Sequence, residues 1–232
     1  VSTIFPKWTN ALPTLGAGAG LLIAASAVGG VWYYFTPKFW RVGYMPTQPG
    51  GGFNHQLHAG KLGMDCRYCH SHVEDSPEAN IPPVSTCIGC HAEGRLKIYG
   101  DSDAHKNKTA FIREAYAKDE PIEWRRIHKV PDYVRNFPHH VHVQAGVSCL
   151  SCHGNIARMP VVWHSEPLSM SWCLDCHRNP APNLVERGDV TQLFKVEEWF
   201  KPENAEQRLA QGTKHLDQRK LGGPENCGAC HY

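Results

Sequence analysis

The sequence predicts one membrane-spanning helix followed by a mostly irregular and helical domain with little β structure. Three observations carry this expectation. No charged residue occurs from Trp8 to Pro37, and most of that run is apolar. The rest of the 232 residues is thin in core-forming aliphatic side chains, and the chain holds 17 Pro, 21 Gly and 15 His. All ten cysteines fall into five copies of one short pattern, so something other than aliphatic packing must organise the interior.

The N-terminal element comes first. Leu15 to Phe35 reads LGAGAGLLIAASAVGGVWYYF, and about twenty such residues at ~1.5 Å rise cross the hydrocarbon core of a bilayer. The span is placed at 11–37, after a short N-terminal segment (1–10) and before a linker (38–52). Trp32, Tyr33, Tyr34, Phe35 and Trp40 would form an aromatic belt at one interface, and Phe5 and Trp8 would mark the other. Ala25-Ser26-Ala27 would also suit a signal-peptide cleavage site; the run is read as a retained anchor. Gly16/Gly20, Ala25/Gly29 and Ser26/Gly30 repeat a small-x-x-x-small spacing that lets helix backbones approach in lipid, which predicts packing against membrane-protein subunits. Lys7 opposes Lys38 and Arg41, so flanking charge alone leaves the orientation open.

The cysteine pattern is C-x-x-C-H: Cys66/Cys69/His70, Cys87/Cys90/His91, Cys149/Cys152/His153, Cys173/Cys176/His177 and Cys227/Cys230/His231. It is the attachment signature of c-type haem, in which each thiol adds to a vinyl group and the following imidazole ligates iron. Zinc sites, disulfides and thioredoxin-like motifs give no reason for a histidine after every second cysteine. Five covalently bound haem c groups are therefore expected, on the outer side of the cytoplasmic membrane, with the N-terminus inside. Counting two propionates against the residual charge of a ferric porphyrin, five groups move the formal +2 to about −3, and no nucleic-acid partner is expected.

The body repeats itself. Phe53-x-His55-x-x-His58 precedes the first two motifs, and Phe137-x-His139-x-x-His142 precedes the next two. A low-spin haem needs a second axial ligand, usually a neutral imidazole. Two imidazoles three residues apart share one side of a helical turn and cannot both occupy one distal position, so each pair should clamp two neighbouring haems. The expected units are 53–136, with a helical excursion, and 137–181; the remainder, 182–232, carries a second excursion and the fifth motif. Helices are predicted near Lys108–Lys118, with Ala, Ile and Tyr on one face, and over PENAEQRLAQGTKHL, whose leading Pro suits a helix start.

Ten histidines lie outside the motifs, for five distal places. His55, His58, His139 and His142 are assigned by the duplication, and His128, in RRIHKVPDY, is favoured as the fifth. Met159 and Met170 flank the fourth motif and are its rivals, since a thioether also ligates haem. His140 points away from the clamp, and His72, His105, His164 and His215 read as surface residues.

These motifs, with LGMDCRYCH, IPPVSTCIGCH, VPDYVRNFPHHVHVQAGVSCLSCHG and VVWHSEPLSMSWCLDCHRNP, resemble the cytochrome c3/c7-like multihaem proteins. More closely, the chain is similar to the membrane-anchored pentahaem cytochrome subunits of bacterial alternative complex III, over about residues 8–232. The resemblance implies a subunit that makes no bonds itself. Electrons from quinol would reach it through an iron–sulfur subunit and leave, with a monohaem cytochrome subunit present, towards a periplasmic acceptor. It also implies His55, His58, His128, His139 and His142 as distal ligands. Two other functions compete. A multihaem reductase of nitrite or a sulfur oxyanion would need an open iron position, and no motif replaces the proximal His with Lys. A self-standing quinol dehydrogenase would need a quinol site, of which one Gly-rich helix without ionisable residues offers little.

Overall fold

The computed structural model describes residues 5–39, 42–95, 102–130, 134 and 137–231. A long helix, α1 (Leu12–Phe39), follows a 3-10 turn at Lys7–Ala11. It is long and apolar enough to cross a membrane, and the rest of the chain buries none of its apolar window. Space is open above Gly16, Gly18, Gly20, Gly29 and Gly30, so the small-residue face meets nothing within this chain. Trp32 is exposed, as are Phe5 and Trp8 near the other end. Trp40 and Arg41 lie outside the described residues, as do the side chains of Tyr33, Tyr34, Phe35 and Lys38. Residues 1–4 of the N-terminal segment, and 96–101 and 131–132 of the first excursion, lie outside them too.

The body is built from short helices: α2 (Cys66–Cys69), α3 (Val84–His91), α4 (Asp103–Lys108), α5 (Ala110–Lys118), α6 (His139–Ala145), α7 (Cys149–His153), α8 (Met170–Arg178), α9 (Leu193–Trp199) and α10 (Ala205–Arg219). Among the described residues there is no strand, only an isolated antiparallel bridge between Val147 and Leu184. Short polar caps start several helices. Asp65, Ser102, Ser148 and Ser169 each accept a hydrogen bond from a backbone N–H of the first turn, satisfying a donor the helix leaves unpaired.

Both excursions contain the expected helices. In α5, Ile112 is buried, but Tyr116 faces solvent, so the apolar face is narrower than the pattern predicts. Asp119, at φ 53°, ends the helix in a left-handed cap just before Pro121. A 3-10 turn over Pro202–Asn204 leads into α10. The second excursion is no mere covering: Val185, Val190 and Val196 form the apolar cluster of the body, packed against Val143, Cys149, Leu150, Trp199 and Phe200. Gly212 lets α10 sit directly on the carbonyl of Ala181, an approach that a Cβ would block.

The linker after α1 is tied to the body by backbone hydrogen bonds. The Gly43 N–H donates to the His164 carbonyl (2.6 Å), and the His164 N–H donates to the Tyr44 carbonyl (2.9 Å).

Candidate functional site

The first four C-x-x-C-H motifs lie on α2, α3, α7 and α8, where a helical turn brings the two thiols of each to one side with the histidine following. In the first, the His70 N–H donates to the Cys66 carbonyl (2.9 Å). The fifth motif has the same spacing but a different local backbone. Its turn is a 3-10 helix over Cys227–Ala229, so Cys230 falls outside the helix, as its C-cap at φ −115°. The shorter turn still closes the loop: the Cys230 N–H (3.3 Å) and the His231 N–H (2.9 Å) both donate to the Cys227 carbonyl.

None of the ten cysteines is paired in a disulfide; Cys90 and Cys227 are exposed and the other eight, Cys230 among them, partly buried. Burial, with Cys176 and Cys173 close by, pushes the Cys152 thiol up to about 12. Contact with Cys66, and then burial, raises Cys149 well above the ordinary thiol range. Burial, then Cys230 and Cys176, raises Cys173. Among the described residues no group of three or more His, Cys, Asp and Glu side chains could hold a bare metal ion.

The duplicated Phe-x-His-x-x-His segments repeat in three dimensions. Phe53 stacks on His58 (ring centres 4.3 Å, 27° between planes) and meets His55 edge-on (4.7 Å, 80°). Phe137 stacks on His142 (4.4 Å, 24°) and meets His139 edge-on (5.0 Å, 82°). The backbones differ. His139 and His142 lie on the α-helix α6, whereas His55 leads into a π-helical turn over Gln56–Lys61. There the Gln56 N–H donates to the Met159 carbonyl (3.0 Å), and Gly60 packs on the Ala157 carbonyl, which a Cβ would block. Sequence spacing gives the motif Phe no role; its place against both imidazoles assigns it one.

Several of these rings are held through one nitrogen. With the ring proton on Nδ1, His58 donates to the Asn54 carbonyl (2.8 Å), His70 to Asn80 (2.6 Å), His139 to Pro77 (2.6 Å), His142 to Pro138 (2.9 Å) and His177 to Pro224 (2.7 Å). This is the arrangement that frees Nε2 as a neutral donor to a metal and fixes the ring plane.

The clamp rings face motif rings across a consistent gap. Ring centres are 6.1 Å apart for His58 and His91, 6.4 Å for His139 and His153, and 6.1 Å for His142 and His177. Two imidazoles bound through nitrogen on opposite faces of one metal, with bonds of about 2 Å, have ring centres roughly 6 Å apart. His55 lies within electrostatic reach of His70. Buried, unpartnered nitrogens remain on His55 (Nδ1), His91 (Nδ1) and His128 (Nε2). Free thiols, freed Nε2 atoms and the gap between facing rings all fit covalent haem. His55, His58, His139 and His142 would hold its distal face at the first four motifs.

His128 is placed edge-on to His153 (4.3 Å, 81°) and stacked near His164 (5.4 Å, 29°). The first gap is too short for two rings to share one iron from opposite faces. The ring of His128 neighbours His55, His153 and His164, and its carbonyl accepts from Arg126 (3.2 Å). None of them belongs to the turn that carries Cys227, Cys230 and His231, the fifth motif. Met159 is buried, with its Cε 3.2 Å from where a Gly154 Cβ would stand, whereas Met170 is exposed.

Three of the histidines read as surface residues are not. His164 is 2% exposed, with neither ring nitrogen partnered, because its backbone is drawn in by the linker at Gly43 and Tyr44. His215 is 3% exposed and sits 3.2 Å from Glu186, one turn beyond Gly212 on the face of α10 that meets Ala181. The i, i+3 spacing of Gly212 and His215 is the only hint of this in the sequence. His105 is half-buried and stacked on His91 (5.6 Å, 16°). His72 is exposed, as expected.

Burial, then the neighbouring His70 and His58, lowers His55 to about 4; burial, then His164 and His55, lowers His128 to about 4. Burial holds His153 well below its ordinary value, reinforced by His128, His139, His70 and His164. The site is built to keep imidazoles neutral, the state in which they bind metal.

A comparison with protein-family models found no match. Among curated proteins, the chain is similar to the multihaem cytochrome c subunit of menaquinone reductase from Nitratidesulfovibrio vulgaris, 29% identical over 132 residues. The match takes in 57% of this chain and spans about half (55%) of that relative's length. That relative is, by its name, a multihaem cytochrome c, the class of protein to which the five motifs point.

Proposed function

We propose that this chain is an electron-transfer subunit carrying five covalent haem c groups, anchored by α1 in a quinol-oxidising membrane complex of the alternative complex III kind. The observation that carries the reading is the repeated gap of 6.1–6.4 Å between clamp and motif imidazoles, produced twice by one duplicated segment. Bis-imidazole sites are closed to substrate, which favours relay over bond-making chemistry. Haem bound at the ten cysteines supplies the one-electron redox chemistry. The chain's own residues fix ring orientation, exclude water and hold the imidazoles neutral. The distal set is His55, His58, His139 and His142, with His128 the fifth of the expected set and Met159 and Met170 its rivals. The body lies on the outer face of the cytoplasmic membrane, where haem is attached to cysteine. The open small-residue face of α1 supports packing against membrane-protein subunits. An iron–sulfur subunit, a monohaem cytochrome subunit and a periplasmic acceptor complete the proposed path.

The named relative, a subunit of a menaquinone reductase, favours service in a different quinone-linked complex; the second reading kept from the sequence is a self-standing, membrane-anchored quinol dehydrogenase that feeds a periplasmic reductase. Low-temperature EPR during a redox titration, with a quinol-oxidation assay of the isolated chain, tests both. Five low-spin signals over a wide potential range, and no quinol oxidation without partners, are expected. A native high-spin species that binds nitrite or cyanide would point to a reductase instead, and quinol oxidation by the chain alone would favour the second reading.

A further inference from the structure

We propose that, of the first four attachment sites, the fourth (Cys173–His177) has the lowest midpoint potential because both of its imidazoles are anchored through Nδ1, and that Gly223 is the positioning residue for one of those anchors. This deepens the haem reading above and rests on it.

A ring N–H that donates to a carbonyl makes the other ring nitrogen a stronger donor to iron. This stabilises the ferric state over the ferrous and lowers the potential. The fourth site has two such bonds. His142 donates to the Pro138 carbonyl (2.9 Å) from within α6, and His177 donates to the Pro224 carbonyl (2.7 Å) across 47 residues. The second bond lies open to solvent, which also favours the ferric charge.

The first and second sites have one bond each. At the first, His70 donates to the Asn80 carbonyl (2.6 Å), but the buried Nδ1 of His55 has no partner; the Phe53 backbone comes near that ring outside hydrogen-bonding geometry. At the second the roles reverse: His58 donates to the Asn54 carbonyl (2.8 Å), and the buried Nδ1 of His91 has no partner. The Arg113 guanidinium, tied to the Thr109 hydroxyl (3.0 Å), also lies within electrostatic reach of His91, and a nearby cation opposes ferric charge. At the third, His139 donates to the Pro77 carbonyl (2.6 Å), and the surroundings decide. Burial there lifts the Cys152 thiol and holds His153 neutral, and the same low polarity penalises a ferric charge.

The long-range anchor depends on a close approach. The segment after α10 passes the end of α8, where Arg178 donates to Glu225 (3.0 Å) beside the His177–Pro224 bond. Gly223 lies so near that a Cβ there would stand 2.6 Å from both the Cα and the carbonyl oxygen of His177, whereas Gly222 has open space above it. A residue without a side chain is what lets the Pro224 carbonyl reach the ring. Each reduction of the fourth site takes one electron from a one-electron donor, and the Nδ1 protons stay on their rings. In a part-reduced chain this site is the last of the four to fill and the first to give its electron up.

The test uses the full haem-loaded chain, titrated by EPR. His55→Met, His58→Met, His139→Met and His142→Met each replace an imidazole by a thioether and raise one midpoint, which labels the four wild-type transitions. The transition that His142→Met moves should start lowest. Gly223→Ala should raise that same transition with every haem still low-spin, and Gly222→Ala should move none; a merely structural glycine would lower Tm and leave the potential alone. A lower start for any other labelled transition overturns the ranking. A Gly223→Ala chain with that transition unmoved, or with a high-spin haem, overturns the positioning role. Should a variant fail to assemble, NMR of the oxidised wild-type chain decides: the fourth haem should show two slowly exchanging Nδ1 protons, and the first and second one each. Any other count overturns the anchors. Fewer than five attached groups in the intact mass would overturn the haem reading itself, whereas five groups ranked otherwise overturn this inference alone.

Discussion

Phe53 and Phe137 stand against their histidine pairs in nearly the same pose, one ring stacked and one edge-on, although one pair sits on a π-helical turn and the other on an α-helix. An aromatic contact of this kind contributes about 0.5–1.5 kcal/mol and restricts the torsion of the imidazole. Phe137→Leu keeps apolar bulk but loses the flat face. The expected result is full haem content with altered EPR g-values for two of the low-spin species, because those values follow the ring planes. Unchanged spectra would reduce Phe137 to packing. Asp65 is a second residue with more than one partner: it caps α2, bonds Arg67 twice and accepts from Thr191. The Arg67 hydrogen bond holds its carboxyl well below the usual range. Asp65→Ala should lower stability by about 1–2 kcal/mol in denaturant unfolding, a cap loss with a tertiary bond added.

Among the elements, α10 shows how a polar sequence becomes part of the core. Its buried face is made by Gly212 and His215 rather than by a leucine stripe, and Leu209 is exposed. Gly212→Ala would drive a methyl into the Ala181 carbonyl and separate α10 from the turn at Ala181–Asn183. A loss of about 1–3 kcal/mol is expected from such overpacking, read as a lower Tm, whereas Gly188→Ala, with open space above it, should change little. The helices themselves were legible because their signals are local: a cap, a Pro, a short periodic run. The burial of His164 and His215 was not, because the contacts that enclose them come from Tyr44 and Glu186, far away in the chain. The shorter turn that leaves Cys230 outside its helix was equally hidden, since the fifth motif has the same spacing as the other four.

At the scale of the whole molecule, neutral imidazoles are a condition of both folding and metal binding, which fixes a pH response. His55 and His128 are lowered to about 4 in the folded chain, chiefly by burial, against an ordinary value of 6.5. Between these values the unfolded chain binds more protons, so stability rises with pH. The contribution is fully present above about 6.5 and is lost as pH falls through about 4. Protonation also removes the ligand lone pair, so both effects have the same sign. Acidification from pH 7 to 4 should lower Tm and convert low-spin to high-spin absorption in one window; a flat response in either would contradict the assignment.

The five C-x-x-C-H motifs, the duplicated Phe-x-His-x-x-His segment and the long apolar helix were decided by sequence alone, since each is a pattern of spacing or periodicity within a few residues. Which imidazole faces which, and which site neighbours which, came only with the tertiary structure. His139 is held by Pro77, 62 residues away, and Cys66 and Asp65 meet Thr191 across 125 and 126 residues. Contacts over such separations depend on how loops close and helices pack, and no local spacing encodes that.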